Sequence, residues 1–256
     1  MRRDIDDALQ GWTYDPEPNE VVAREVRARD GRTVLQIRVE LGLLQMEAEA
    51  RPDGVRPHGF ATYLDYLRHR AEARGHSTGR GTPWGMSKEH RAEADREFIQ
   101  FSHRRVAWLA LQRYDKALLD ADHTLTLMDF VAAHGGETDY IASHERFRGL
   151  VLFHKTQAAA ALALERRKPE EAVDAVRDGI ERLAALQAPG ESDEDADGEK
   201  TPNGHLIDQL RQLAEEIRSN FAVAKTLREQ LDEAVAREDY EHAARLRDQI
   251  RARGRR

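Results

Sequence analysis

Apolar and polar positions alternate from Val22 to Ala48, and from Phe60 onward the apolar positions recur at intervals of three and four. The change of period predicts a small sheet followed by helices. Val22, Arg24, Val26 and Ala28 run up to Asp30-Gly31. Beyond it Leu35, Ile37, Val39 and Leu41 alternate with Gln36, Arg38 and Glu40. Asp-Gly between two extended runs predicts a type I′ hairpin, because that turn needs positive φ at both central residues. Gly42 interrupts the alternation and predicts a bulge or bend, after which Leu44, Met46 and Ala48 form a third strand. So small a sheet needs a cover, and the nearest candidate is a helix over Phe60–Ala73 with Phe60, Leu64 and Leu67 on one side. Residues 74–85, rich in Gly, Ser and Thr, predict a loop ending at Trp84.

From Ser87 to about Leu186 the pattern is almost wholly helical. Phe98, Phe101, Val106, Trp108, Leu109 and Leu111 lead into Arg113-Tyr114-Asp115-Lys116-Ala117. A long helix is expected over Glu137–Glu165, with Tyr140, His144, Phe147, Val151, His154 and Ala158 on one face. Residues 188–204, with Pro189-Gly190 and the acidic run Glu191 to Asp195, predict a flexible tether. Beyond it Leu210, Ile217, Ala224 and Leu231 share one heptad position, and Leu213, Asn220, Leu227 and Ala234 another. About four heptads predict a single helix from His205 to Arg237, roughly 50 Å long at 1.5 Å per residue, with Asn220 fixing register and the seam packing either on the chain's own helices or, as a coiled coil, on another chain. Glu238-Asp239 ends that stripe and Asp239 suits an N-cap. A second stripe of Tyr240, Ala243, Ala244, Leu246 and Ile250 follows. Two short helices cannot bury both stripes alone, so apolar surface remains for a partner.

Composition narrows the functional classes. The chain has 256 residues, 34% of them charged and 40% apolar, and a net charge of −7. The acidic balance argues against direct nucleic-acid binding, which needs a dominant basic face. The absence of cysteine excludes disulfides, thiolate metal sites and cysteine nucleophiles. No apolar run approaches the roughly 18 residues of a membrane span, and Met-Arg-Arg-Asp-Ile-Asp-Asp has no signal-peptide core. A cytoplasmic location is expected. Gly79, Gly81 and Gly85 lack phosphate-loop spacing, and no His-Glu-x-x-His pattern occurs. His144 and His154 stand ten residues apart, further than one helical turn, so packed histidines are expected there and not ligands. No catalytic residue, metal or cofactor is expected, and the chain reads as a non-enzyme.

The segment Arg51-Pro52-Asp53-Gly54-Val55-Arg56-Pro57-His58-Gly59 admits two readings. In one, Arg51, Arg56 and His58 converge on a carboxylate or phosphate, with Asp53 orienting the histidine. In the other, it is a rigid connector whose turn is capped by its own side chains.

Two resemblances add to this. Arg113-Tyr114-Asp115-Lys116-Ala117-Leu118-Leu119-Asp120-Ala121 resembles a tetratricopeptide (TPR) helix pair, in which Tyr114 and Ala117 would sit where two helices approach. The pattern returns 55 residues later at Lys168-Pro169-Glu170-Glu171-Ala172, and again at Asp239-Tyr240-Glu241-His242-Ala243. These spacings depart from the usual repeat of about 34 residues, so degenerate pairs are expected. The stretch from Leu231 and Ala234 through Glu238-Asp239 and Tyr240 to Ala243-Ala244-Arg245-Leu246-Arg247-Asp248 and Ile250 resembles the UvrB/UvrC (UVR) motif of bacterial proteins, an antiparallel helical hairpin that pairs with another hairpin. UVR-containing proteins also carry segments similar to Leu43–Glu47 and Arg51–Gly59.

The resemblance implies a protein–protein adaptor that uses Leu227, Leu231, Val235, Tyr240, Ala243, Ala244, Leu246 and Ile250. Its partner would be another UVR-type hairpin or a second copy of the chain. The alternatives are an accessory role in excision repair beside UvrB or UvrC, or a ligand-binding protein that uses the Arg51–His58 loop. Regulators of protein-arginine kinases also carry the motif, but with paired-cysteine zinc sites that this chain cannot form. The expected fold is mainly α (α+β): a small N-terminal antiparallel β-meander (1–73) on a TPR-like helical domain (86–187), an acidic linker (188–204), and a long helix with the hairpin (205–256).

Overall fold

The computed structural model describes residues 5–12, 14, 21–77, 84–186 and 201–253. The fold is mainly α with one small antiparallel sheet. Contacts divide the chain into two compact units, Met1–Lys155 and Thr156–Arg256. The division falls inside a helix and not at the composition break. Most of the expected acidic linker, residues 188–200, lies outside the described residues.

The first unit opens with a short helix, α1 (Asp6–Leu9), followed by β1 (Ala23–Arg27), β2 (Thr33–Val39) and β3 (Gly42–Glu47). The strands pair antiparallel in the order β1-β2-β3. The first turn is not type I′. Of Asp30 and Gly31 only Gly31 has positive φ, +87°. The Gly31 amide donates to the Ala28 carbonyl, and the Ala28 amide to Arg32. This is a type I turn with a glycine bulge, in which only one residue needs the left-handed region. Gly42 is no bulge either, since it pairs in register with Val39. Leu41 stands in the turn, 93% exposed.

Three helices follow in this unit: α2 (Tyr63–Ser77), α3 (Lys88–Ala110) and α4 (Tyr114–His134). The cover of the sheet is α3, not the expected helix α2. Leu64 and Leu67 of α2 turn elsewhere, into a core with Phe98, Ala121, Leu127, Met128, Val131 and Val151. Phe60 precedes that helix, and residues 78–83 of the expected loop lie outside the described residues. The sheet's other face carries a polar ladder: Arg24 donates to Gln36 (2.8 Å) and Gln36 to Gln45 (2.9 Å). Trp12 lies over the Arg24 guanidinium at 3.9 Å.

The helix expected over Glu137–Glu165 is two, α5 (Thr138–Glu145) and α6 (Arg148–Glu165). At the break the Phe147 amide bonds back three residues to His144, a tightened final turn. Arg148 then clasps Glu145 at 2.6 and 2.8 Å. His144 is buried and bonded to Asp95 (3.1 Å), and His154 accepts from Arg105 (3.4 Å). Both are packed histidines.

The unit's interior is unusually charged. Glu97 is fully buried and receives the Tyr63 and Leu64 amides at 2.5 and 3.0 Å, so a carboxylate on α3 caps α2. Arg104 forks onto Asp120 at 2.7 and 2.9 Å and donates its remaining nitrogen to the Glu47 and Ala50 carbonyls.

The second unit holds α7 (Pro169–Ala184), α8 (Pro202–Phe221), α9 (Leu227–Ala236) and α10 (Tyr240–Arg253), together with the end of α6. Helix α7 packs on α8, and α9 on α10. Buried residues are Val173, Val176 and Leu183 on α7, and Ile207, Leu210 and Ile217 on α8. Where α6 meets α7 the backbones come close. A Cβ on Gly179 would lie 2.2 Å from Thr156 Oγ1 and 2.3 Å from its Cγ2. Gly179→Ala is therefore expected to lower stability by about 1–2 kcal/mol, overpacking outweighing the roughly 1 kcal/mol gain in helix propensity. Urea unfolding measures it, and a more stable Gly179→Ala would show that the contact is loose.

The recurring Tyr/Pro-x-x-Ala pattern has one structural meaning. Gln112, Arg167 and Glu238 each end a helix with φ of 55°, 59° and 58°. In each case the next residue's amide, that of Arg113, Lys168 or Asp239, bonds back five residues, to Trp108, Ala163 or Ala234. This is the Schellman closure. A new helix starts at once, and its fourth residue, Ala117, Ala172 or Ala243, is buried.

Candidate functional site

The third of these turns lies at the tip of the hairpin formed by α9 and α10. The single helix expected over 205–237 does not exist. Helix α8 ends at Ala222, whose φ is 51°, and Arg218 holds the Ala224 carbonyl at 2.9 Å. The next helix starts with a capping box. Thr226 accepts the Glu229 amide (3.3 Å) and Glu229 accepts the Thr226 amide (2.8 Å). Asn220 is exposed and fixes no register. The Thr-Leu-Arg-Glu signature was present in the sequence, but the heptad positions on either side happened to continue across it.

Inside the hairpin Ala234, Ala243 and Leu246 are buried, with Leu227 and Leu231 packed against them. Those residues hold the two helices together. Ala244 and Ile250 are half-buried. Val235 is 51% and Tyr240 68% exposed, although both belong to the apolar stripes. The eight residues expected to bind a partner thus separate into an inner set and an outward set. Helix α9 carries Glu229, Asp232 and Glu233 against Arg228, whereas α10 carries Arg245, Arg247 and Arg251 against Glu241 and Asp248.

The hairpin is also tied to α7, which sequence reasoning missed. Thr226 donates to Asp174 (2.7 Å), Arg228 meets both Asp178 oxygens at 3.0 Å, and Arg177 meets Asp232 at 2.8 Å. Asp174 is pushed above the usual carboxylate range by burial, which outweighs the Thr226 bond and the nearby arginines. A groove of about 860 Å³ lies there, lined by Pro169, Asp174, Ala175 and Asp178 with Leu227 and Ile250.

In the loop Arg51–Gly59 the charged side chains pair with one another and with α3. Arg51 is 2% exposed and already spent on Asp53 (3.2 Å) and Glu93 (3.0 Å). Asp53 accepts the Val55 amide (2.9 Å) and the Gln100 side chain (2.9 Å). His58, with φ 51°, stacks on Tyr66 at 4.0 Å. Arg51, Asp53 and His58 line a cleft of about 580 Å³ with Tyr63, Tyr66 and His90, and Arg56 is not part of its wall. Burial holds the Tyr63 hydroxyl neutral, pushed up to about 12. The loop's own side chains and α3 account for its shape. Among the described residues no group of His, Asp and Glu is placed to hold a metal ion. No described helix is long and apolar enough to cross a membrane.

Residues 222–252 match the family model of the UvrB/uvrC motif. The match spans the left-handed Ala222, the capping box and both helices of the hairpin. No curated protein and no solved structure matches the chain.

Proposed function

We propose that the protein is a non-enzymatic, cytoplasmic adaptor that binds by laying its α9–α10 hairpin against another helical hairpin, from a UVR-type protein or from a second copy of itself. The observation that carries this is the outward set: Val235 and Tyr240 belong to the apolar stripes of a motif hairpin and yet stand about half or more exposed. Lying within the matched motif, these exposed apolar side chains are what a partner hairpin can cover. The motif match also favours UvrB or UvrC as partner, and that pairing is one arm of the test.

Burying one large apolar side chain contributes about 1.5–3 kcal/mol. Val235→Asp and Tyr240→Asp, both at exposed positions, are each expected to weaken binding about tenfold or more while leaving the fold intact. Sedimentation velocity of the full chain reads self-association, and capture on immobilised UvrB reads the repair arm. Unchanged binding by both folded variants would contradict the assigned surface.

A further inference from the structure

The hairpin's apolar cluster is made of its own residues, Leu227, Leu231, Ala234, Ala243 and Leu246. What joins it to α7 is polar: Thr226 to Asp174, Arg228 to Asp178 and Arg177 to Asp232. The two arginine pairs reach solvent, with side-chain exposures of 43% and 37% in one and, for the half-buried Arg177 and Asp232, 26% and 68% in the other. Pairs of this kind weaken in salt. At 100° per residue Arg228, Asp232 and Val235 lie within an arc of roughly 60° on α9. The flank turned to α7 is therefore the flank that carries Val235. Leu227 and Ile250 line the groove against α7. A hairpin arriving on this flank meets α7 first.

We propose that α7 carries an electrostatic latch, Asp174, Arg177 and Asp178, which holds the hairpin in a closed position, and that the hairpin swings about Ala222–Lys225 as one body to receive its partner. The proposal concerns the regulation of the pairing surface and rests on that reading. The hinge is a short stretch between two helices whose first residue is left-handed. A self-contained moving body, a salt-sensitive catch and a break in the helix coincide there; the catch includes the Arg218–Glu229 pair across the break (2.5 Å) and the buried Thr226, which also part on opening. Release uncovers Ile250 together with the α7 flank of α9, so closing the latch lowers affinity for a partner and opening it raises affinity.

The chain has no cysteine, so two introduced ones take spin labels without background. Arg182→Cys on α7 and Ala236→Cys on α9, both exposed positions, report the separation of helix and hairpin by double electron–electron resonance in the full chain. At about 0.1 M salt one narrow distance is expected; at about 1 M, where the Debye length falls to about 3 Å, a longer distance becomes the major population. Arg228→Ala with Asp178→Ala is expected to show the long distance already at the lower salt. One narrow distance at both salt concentrations would overturn the proposal, even if the double variant fails to fold. So would a folded double variant that keeps the narrow distance. The measurement needs no partner: Tyr240→Asp, at the hairpin tip away from α7, is expected to lose association while keeping the latched distance. A failure of pairing therefore leaves the latch result standing, and a failure of the latch leaves pairing untouched.

Discussion

Arg104→Ala is expected to destabilise the first unit by about 3–5 kcal/mol, the usual cost of removing one partner from a buried ion pair. Arg104 and Asp120 are 4% and 3% exposed, and the guanidinium also holds the carbonyls of Glu47 and Ala50, where the chain leaves the sheet. Its loss strands a carboxylate and two carbonyls in the interior together. Asp120→Asn keeps the shape and one acceptor, so it is expected to cost less. Urea unfolding of the full chain measures both. A loss below about 1 kcal/mol for Arg104→Ala would mean that the pair contributes no more than a surface one.

Acidification is expected to remove about 3 kcal/mol through His154 alone. Burial first, and the Arg105 guanidinium second, hold its imidazole down from 6.5 to about 4. The neutral ring accepts the Arg105 Nε–H, and burial in turn pushes Arg105 down to about 10. The unfolded chain takes up this proton near pH 6.5, whereas the folded chain resists it until about pH 4. The contribution is thus fully present above pH 6.5 and drains away as the pH falls toward 4. His154→Gln keeps an acceptor for Arg105 and does not titrate. Between pH 6.5 and 4 the wild type is expected to lose about 3 kcal/mol more than the variant, carboxylate titration being common to both. Parallel pH profiles would contradict it.

Local signals in the sequence carried the fold as far as local physics decides it. The alternation from Val22 to Met46 marks strands, and the recurring alanine at 117, 172 and 243 marks three helical hairpins with one closure. What escaped depends on distance or on competition between signals. The heptads of Leu210, Ile217 and Leu231 outvoted the capping box at Thr226, although a box satisfies two amides that a continuing helix would not expose. Arg51, Glu97 and Arg104 look like solvated positions on helical or loop segments. Only partners such as Asp120, Glu93 and the Tyr63 amide make burial affordable, and pairing across so many residues has no period. The candidate site was legible as a hairpin with surplus apolar surface. Which residues close the hairpin and which face outward was set by the tight turn at Glu238, which turns Ala234, Ala243 and Leu246 inward and leaves Val235 and Tyr240 outside.

Hydrogen exchange on the full chain tests the central claim most directly, because it maps the binding surface without altering it. The protein is followed from dilute to concentrated solution, and at dilution with UvrB added. Slowed exchange on association is expected to be confined to Leu227–Ile250, in α9, α10 and the turn between them. Association accompanied by slowed exchange at the Arg51–Gly59 cleft, with the hairpin unchanged, would contradict it.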